Sequence, residues 1–213
     1  VVGVGPLDIF AGPLEVWAGR LFVLDPFFGS AALLDPETVE AQSLLPFSAP
    51  VDSEPFAEGI AVTELGTGSI VLATGSDLSE RETLATGFAA PAGLAAREDD
   101  LFMSDSVTGQ VLHVVQDGVV LAEPRPVTDT VFVSPEGIAI HDGTTLLVVE
   151  GGTGSLHAID LTSGAVQPVA EDLPFKPTAP GLPPHMNFND LYTDGSGTHY
   201  LNAEGAATIY EIE

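Results

Sequence analysis

The feature that most constrains this chain is a repeat of short apolar runs separated by turn residues, since any fold must accommodate every copy. The clearest copy runs Pro135-Glu136-Gly137-Ile138-Ala139-Ile140, then His141-Asp142-Gly143, then Leu146 to Glu150, then Gly154 to Asp160, then Val166 to Ala170. The runs are four to seven residues long and rich in Val, Ile and Leu. That is the length and composition of β-strands. The Asp-Gly and Ser-Gly pairs between them supply the positive φ that tight hairpins need. A second copy starts at Pro91-Ala92-Gly93-Leu94-Ala95 and a more diverged one at Ala57-Glu58-Gly59-Ile60-Ala61. Partial copies begin at Leu14-Glu15-Val16-Trp17 and at Asn189-Asp190-Leu191-Tyr192.

Two spacings support the repeat. An acidic residue precedes a turn glycine by four in three copies: Asp25 and Gly29, Asp105 and Gly109, Glu150 and Gly154. The opening motifs at Ile60, Leu94, Ile138 and Leu191 stand 34, 44 and 53 residues apart. Four short strands recurring near forty residues define a propeller blade. The expected fold is therefore all-β: one β-propeller domain over residues 1–213, with about five blades and six as the alternative count. The last copy lacks an outer strand, which Val1 to Phe10 could supply to close the ring. No helical periodicity of useful length is present. A β-sandwich is the alternative architecture.

Composition narrows the function. The net charge is −26, from 31 acidic residues against five basic ones, of which only Lys176 is a lysine. Such a surface repels phosphate backbones and anionic lipid, so no nucleic-acid partner and no membrane docking are expected. Salt screens self-repulsion of this kind, which suits a secreted, periplasmic or cell-surface setting. A sequence opening at Val1 fits removal of a secretory signal. With no cysteine, disulfides, thiolate metal sites and a cysteine nucleophile are excluded. No apolar run reaches the length of a membrane span.

Five motifs carry a resemblance: Pro-Glu-Gly-Ile-Ala (135–139), Ala-Glu-Gly-Ile-Ala (57–61), Leu-Leu-Val-Val-Glu (146–150), Leu-His-Ala-Ile-Asp (156–160) and Phe-Asn-Asp-Leu (188–191). In these the chain resembles the propeller group of the senescence-marker/gluconolactonase and NHL-repeat families. That group usually has six blades, and its lactonases tend to place asparagine where Glu58 and Glu136 stand. The resemblance implies acidic and amide side chains holding Ca²⁺ at the starts of the first strands. The candidate ligands are Glu15, Glu58, Glu136, Asn189 and Asp190. A hard cation taking about six to eight oxygens suits such a set.

His185 lies in a proline-rich loop, 176–186, that leads into Asn187-Phe188-Asn189-Asp190, and is the candidate general base on a metal-polarised water. His113 and His157 occupy equivalent blade positions and read as architectural. Nucleophile-elbow, zincin and phosphate-loop motifs are absent. Two functions follow: a calcium-dependent lactone or ester hydrolase, or an NHL-like propeller that binds protein or glycan partners without catalysis.

Overall fold

The computed structural model describes residues 13–175, 189–193, 198–203 and 208–212. The chain divides into two compact units, Val1–Gly87 and Phe88–Glu213. No α-helix occurs among the described residues, so none is long and apolar enough to cross a membrane. Everything regular is antiparallel β, in five sheets that are the blades of a β-propeller.

Unit 1 holds two blades. The first is β1 (Leu14–Trp17), β2 (Arg20–Asp25), β3 (Ser30–Leu34) and β4 (Ala41–Pro46), paired in that order. The second is β5 (Pro50–Phe56), β6 (Gly59–Glu64), β7 (Ser69–Thr74) and β8 (Glu80–Thr86). Unit 2 holds three. They are β9 (Pro91–Arg97) to β12 (Val119–Pro126), with β10 at Asp100–Asp105 and β11 at Gln110–Gln116; then β13 (Pro135–Ile140), β14 (Thr145–Glu150), β15 (Ser155–Asp160) and β16 (Val166–Ala170); and a last sheet of β17 (Leu191–Thr193), β18 (His199–Ala203) and β19 (Thr208–Ile212). Ring closure by Val1 to Phe10 falls on residues outside the described set.

Side chains alternate across a strand, so a blade sandwiched between others must be apolar on both faces. In β14, Leu146 and Val148 join Ala95, Phe102, Val111 and Phe132 of the preceding blade. Their neighbours Leu147 and Val149 join Leu191 and Leu201 of the following one. The continuous Leu-Leu-Val-Val run is thus a two-faced strand. In unit 1, Phe22, Leu24 and Leu33 pack on Ile60, Val62 and Ala73, with Phe22 edge-on to Phe47 at 6.2 Å. Each such aliphatic side chain gains about 1.5–3 kcal/mol on full burial.

Register corrects the phase of one copy. Pro50, Pro91 and Pro135 each open the first strand of a blade, opposite Glu64, Asp105 and Glu150 on the second strand. Each is followed by a local register shift, so Ser53, Leu94 and Ile138 resume pairing three residues on. The Ala-Glu-Gly-Ile-Ala segment at 57–61 is therefore not a blade opening. Ala57 and Glu58 form the β5–β6 turn, with Ala57 at φ 51°, and Gly59-Ile60-Ala61 begins the second strand. The blade openings stand 41 and 44 residues apart, closer to regular than the motif spacing suggested.

Candidate functional site

The acid–glycine pairs occur four times rather than three, because Glu64 and Gly68 complete the series. Each acid closes the second strand of its blade and binds backbone N–H groups. Asp25 Oδ1 accepts from Phe27 and Phe28. Asp105 accepts from Val107 and Thr108 in its own turn and from Ala89 and Ala90 in the segment leading to β9. Glu64 takes Ser48 N–H at 2.8 Å and Glu150 takes Val133 N–H at 2.6 Å. In Glu64, Asp105 and Glu150 one carboxylate thus fastens its blade to the connection that brings the chain into that blade's own first strand.

The two third-strand histidines, read as equivalent from the sequence, are one residue out of phase: His157 lies opposite Val148, two before Glu150, and His113 opposite Phe102, three before Asp105. His157 Nε2 meets Glu150 Oε2 at 2.9 Å, and its ring tilts on Phe132 at 5.6 Å. Burial works to raise the Glu150 carboxyl, but Thr153, the Val133 N–H and His157 together bring it below its usual range. His113 stacks on Phe102 at 4.5 Å with Nε2 3.3 Å from Asp100 Oδ1, an ion-pair distance without hydrogen-bond alignment. Burial likewise opposes ionisation of Asp100, and Arg97, the Asp117 N–H and His113 outweigh it.

The starts of the first strands in unit 2 bring together three of the expected site residues. Glu136, Asn189 and Ala92 each stand two residues before a paired first-strand residue, Ile138, Leu191 and Leu94. Glu136 is 4% exposed and Asn189 2% exposed. Glu136 Oε2 accepts from Asn189 Nδ2 at 2.7 Å and from Asn189 N–H at 3.2 Å, while Gly137 N–H donates to Asn189 O at 3.0 Å. The Glu136 carbonyl accepts from Ser104 Oγ at 2.5 Å, which ties the site to β10. Asp190 follows, its Oδ1 accepting from Leu191 N–H at 2.8 Å and its own N–H donating to Asn202 Oδ1. Desolvation raises the Asp190 carboxyl above the ordinary range, although Leu191 N–H pulls the other way.

Glu15 and Glu58 do not share that repeat position. Glu15 lies inside β1 opposite Phe22, and Glu58 is exposed in the β5–β6 turn; both belong to unit 1. His185 lies outside the described residues. Among the described residues no three His, Asp or Glu are placed to hold a metal ion. Glu136, Asn189 and Asp190 offer three side chains where Ca²⁺ takes about six to eight oxygens, and Asn189 turns its NH₂ toward Glu136.

Sequence reasoning missed an apolar group at the same end of unit 2. Val107, Val131 and Val133 are 58%, 67% and 56% exposed, all at the strand-start end of unit 2. A β-carbon on Gly109 would meet Val131 Cγ1 at 2.7 Å, and one on Gly152 would meet Val133 Cγ1 at 2.5 Å. The valines therefore lie over the β10–β11 and β14–β15 turns and form an apolar rim. Phe27 and Phe28, exposed in the β2–β3 turn of unit 1, occupy the repeat positions of Val107 and Thr108. The signal in the sequence was an apolar residue two places after the acid, in a turn where polar residues are the rule. The opposite strand ends of unit 2 carry exposed Glu98, Asp99, Asp117, Asp142 and Asp160 instead.

No family model matches the chain, and no curated protein matches it. Solved structures do. A streptogramin B lyase is 17% identical with TM-score 0.64, matched over 94% of this chain and 67% of that one. A catalytically inactive virginiamycin B lyase from Staphylococcus aureus, solved with quinupristin, is 14% identical with TM-score 0.63, over 95% and 69%. A nidogen/laminin complex contains a chain 18% identical with TM-score 0.65, over 93% and 72%. The shared property is the fold, and this chain is a β-propeller similar in fold to enzymes acting on small molecules and to a component of a protein complex.

Proposed function

We propose that this propeller is a recognition module that binds a basic, partly apolar protein segment across the strand-start end of unit 2. The observation that carries the reading is the exposed group of Val107, Val131 and Val133 over the β10–β11 and β14–β15 turns, at the same end of unit 2 as the buried Glu136–Asn189 pair. Grouped exposed apolar side chains are the usual mark of a contact surface, whereas single ones mean little. The charge of −26 favours a basic partner and speeds its encounter. A salt-rich setting outside the cytoplasm suits the same surface.

The test uses a labelled peptide of alternating lysine and leucine, titrated by fluorescence anisotropy at physiological salt. Replacing Val131 and Val133 together with Ser should weaken binding about tenfold, the effect of losing roughly 1.4 kcal/mol of apolar contact. Neutralising Glu98 and Asp99 at the other end should change it little. The reverse result would mean that charge alone attracts the peptide and that the rim recognises nothing.

A second reading, hydrolysis of a lactone or other ester, is favoured by the raised Asp190 carboxyl beside Glu136. A carboxyl shifted toward its protonated form suits a general acid. In that case Asp190→Asn removes turnover while the peptide titration is unchanged.

A further inference from the structure

We infer that His141 and His199 form a two-imidazole site for a borderline divalent metal ion such as Zn²⁺, distinct from the strand-start end and independent of the recognition reading. His141 follows β13, with its N–H closing the hairpin on Thr145 O at 2.8 Å, and it is exposed. His199 opens β18 in the last blade and is buried, 4% exposed. Its Nε2 faces His141 Nδ1 at 2.8 Å, with ring centroids 4.7 Å apart and planes at 57°. The other histidines with described side chains, His113 and His157, face carboxylates; only this pair turns ring nitrogens on each other.

The second ring nitrogen of His199 supplies the reason to read a metal site. Nδ1 lies 2.8 Å from Thr193 Oγ1 on the paired strand β17. A metal-binding histidine commonly donates its other N–H to such a partner, which fixes the ring and leaves the opposite lone pair aimed at the ion. Thr193 thus fixes His199 with Nε2 aimed at His141. Imidazole nitrogen suits zinc, copper and nickel, whereas the hard cations favour oxygen.

Two nitrogens bound at about 2.0–2.1 Å around a tetrahedral ion stand roughly 3.4 Å apart, so the pair must open by roughly half an ångström. His141 can move that far because it sits on an exposed hairpin end. The proton bridging the two nitrogens passes to the Nε2 of His141. A neutral pair therefore binds the ion with no net proton release, and a protonated pair must first lose a proton. Water completes the coordination. Bound metal would join the β13–β14 hairpin to the last blade.

The experiment is a calorimetric and thermal-denaturation titration with Zn²⁺ alone, run with excess Ca²⁺ present to occupy loose carboxylate sites. The full chain should give a saturable one-to-one isotherm and a zinc-dependent rise in Tm. His141→Ala, an exposed change that leaves the core intact, should remove both. Thr193→Val should weaken binding about ten- to a hundredfold. Affinity should fall as pH drops below the imidazole range, where a carboxylate site would persist. An isotherm unchanged in His141→Ala, or no saturation in the parent protein, would overturn the site and leave the pair as a hydrogen bond.

Discussion

At Gly151 a β-carbon would lie 2.2 Å from Glu136 Oε1, so this glycine is what lets the buried carboxylate reach Asn189. Gly151→Ala should cost about 1–3 kcal/mol in denaturant unfolding, as overpacking of a close site does. A wild-type midpoint would show that Glu136 has room to turn away. The carboxylates of the turns make a pH prediction. Glu150 and Asp100 are held below their ordinary ranges in the folded chain. Their contribution is therefore present above the unfolded pKa and lost as pH falls through the lower folded value. Asp190, raised by burial, acts oppositely and favours folding as it takes up a proton. Glu150→Gln should flatten the acid limb of a stability–pH curve and lower stability at pH 7. A curve parallel to the parent's would mean that Glu150 does not set that limb. The sequence grouped Glu136, Asn189 and Asp190 with Glu15 and Glu58, and strand register sets the last two apart. The valine rim was hidden, because exposure depends on which turn each valine overlies.

At the scale of the strand and hairpin, patterning identified the strands of unit 2 but not β4, β5 or β8 of unit 1, and it misplaced one boundary. Ala57-Glu58-Gly59-Ile60-Ala61 copies Pro135-Glu136-Gly137-Ile138-Ala139 in letters, yet it spans a hairpin turn. Tertiary pairing decides the phase: Pro50 aligns with Glu64 as Pro135 aligns with Glu150. The acid–glycine spacing was the sounder guide, because the acid must reach both its turn and the incoming connection. Asp105 does so through four N–H groups. Asp105→Ala should cost about 1–3 kcal/mol by leaving buried donors unmet. Asp35→Ala should cost much less, because its two bonds lie in an exposed turn. Equal losses in urea unfolding would contradict the clasp.

For the molecule as a whole, repeat count and absence of helix specified the propeller, and the charge of −26 carries the proposal of a basic partner. With 31 acidic residues and five basic ones, most carboxylates have no cation to pair with. Tm should therefore rise as salt goes from about 10 mM to 150 mM, where the Debye length shrinks from about 30 Å to about 8 Å. A flat profile would mean that repulsion is already relieved within the fold. The position proposed for a partner comes from three dimensions alone, since the two ends of unit 2 differ in character rather than in motif. Hydrogen exchange on the chain with bound lysine–leucine peptide tests this most directly. The account predicts slowed exchange at 105–109, 131–134 and 150–154. Protection at 98–99, 117–118 and 142–144 instead, or protection spread evenly over both ends, would contradict it.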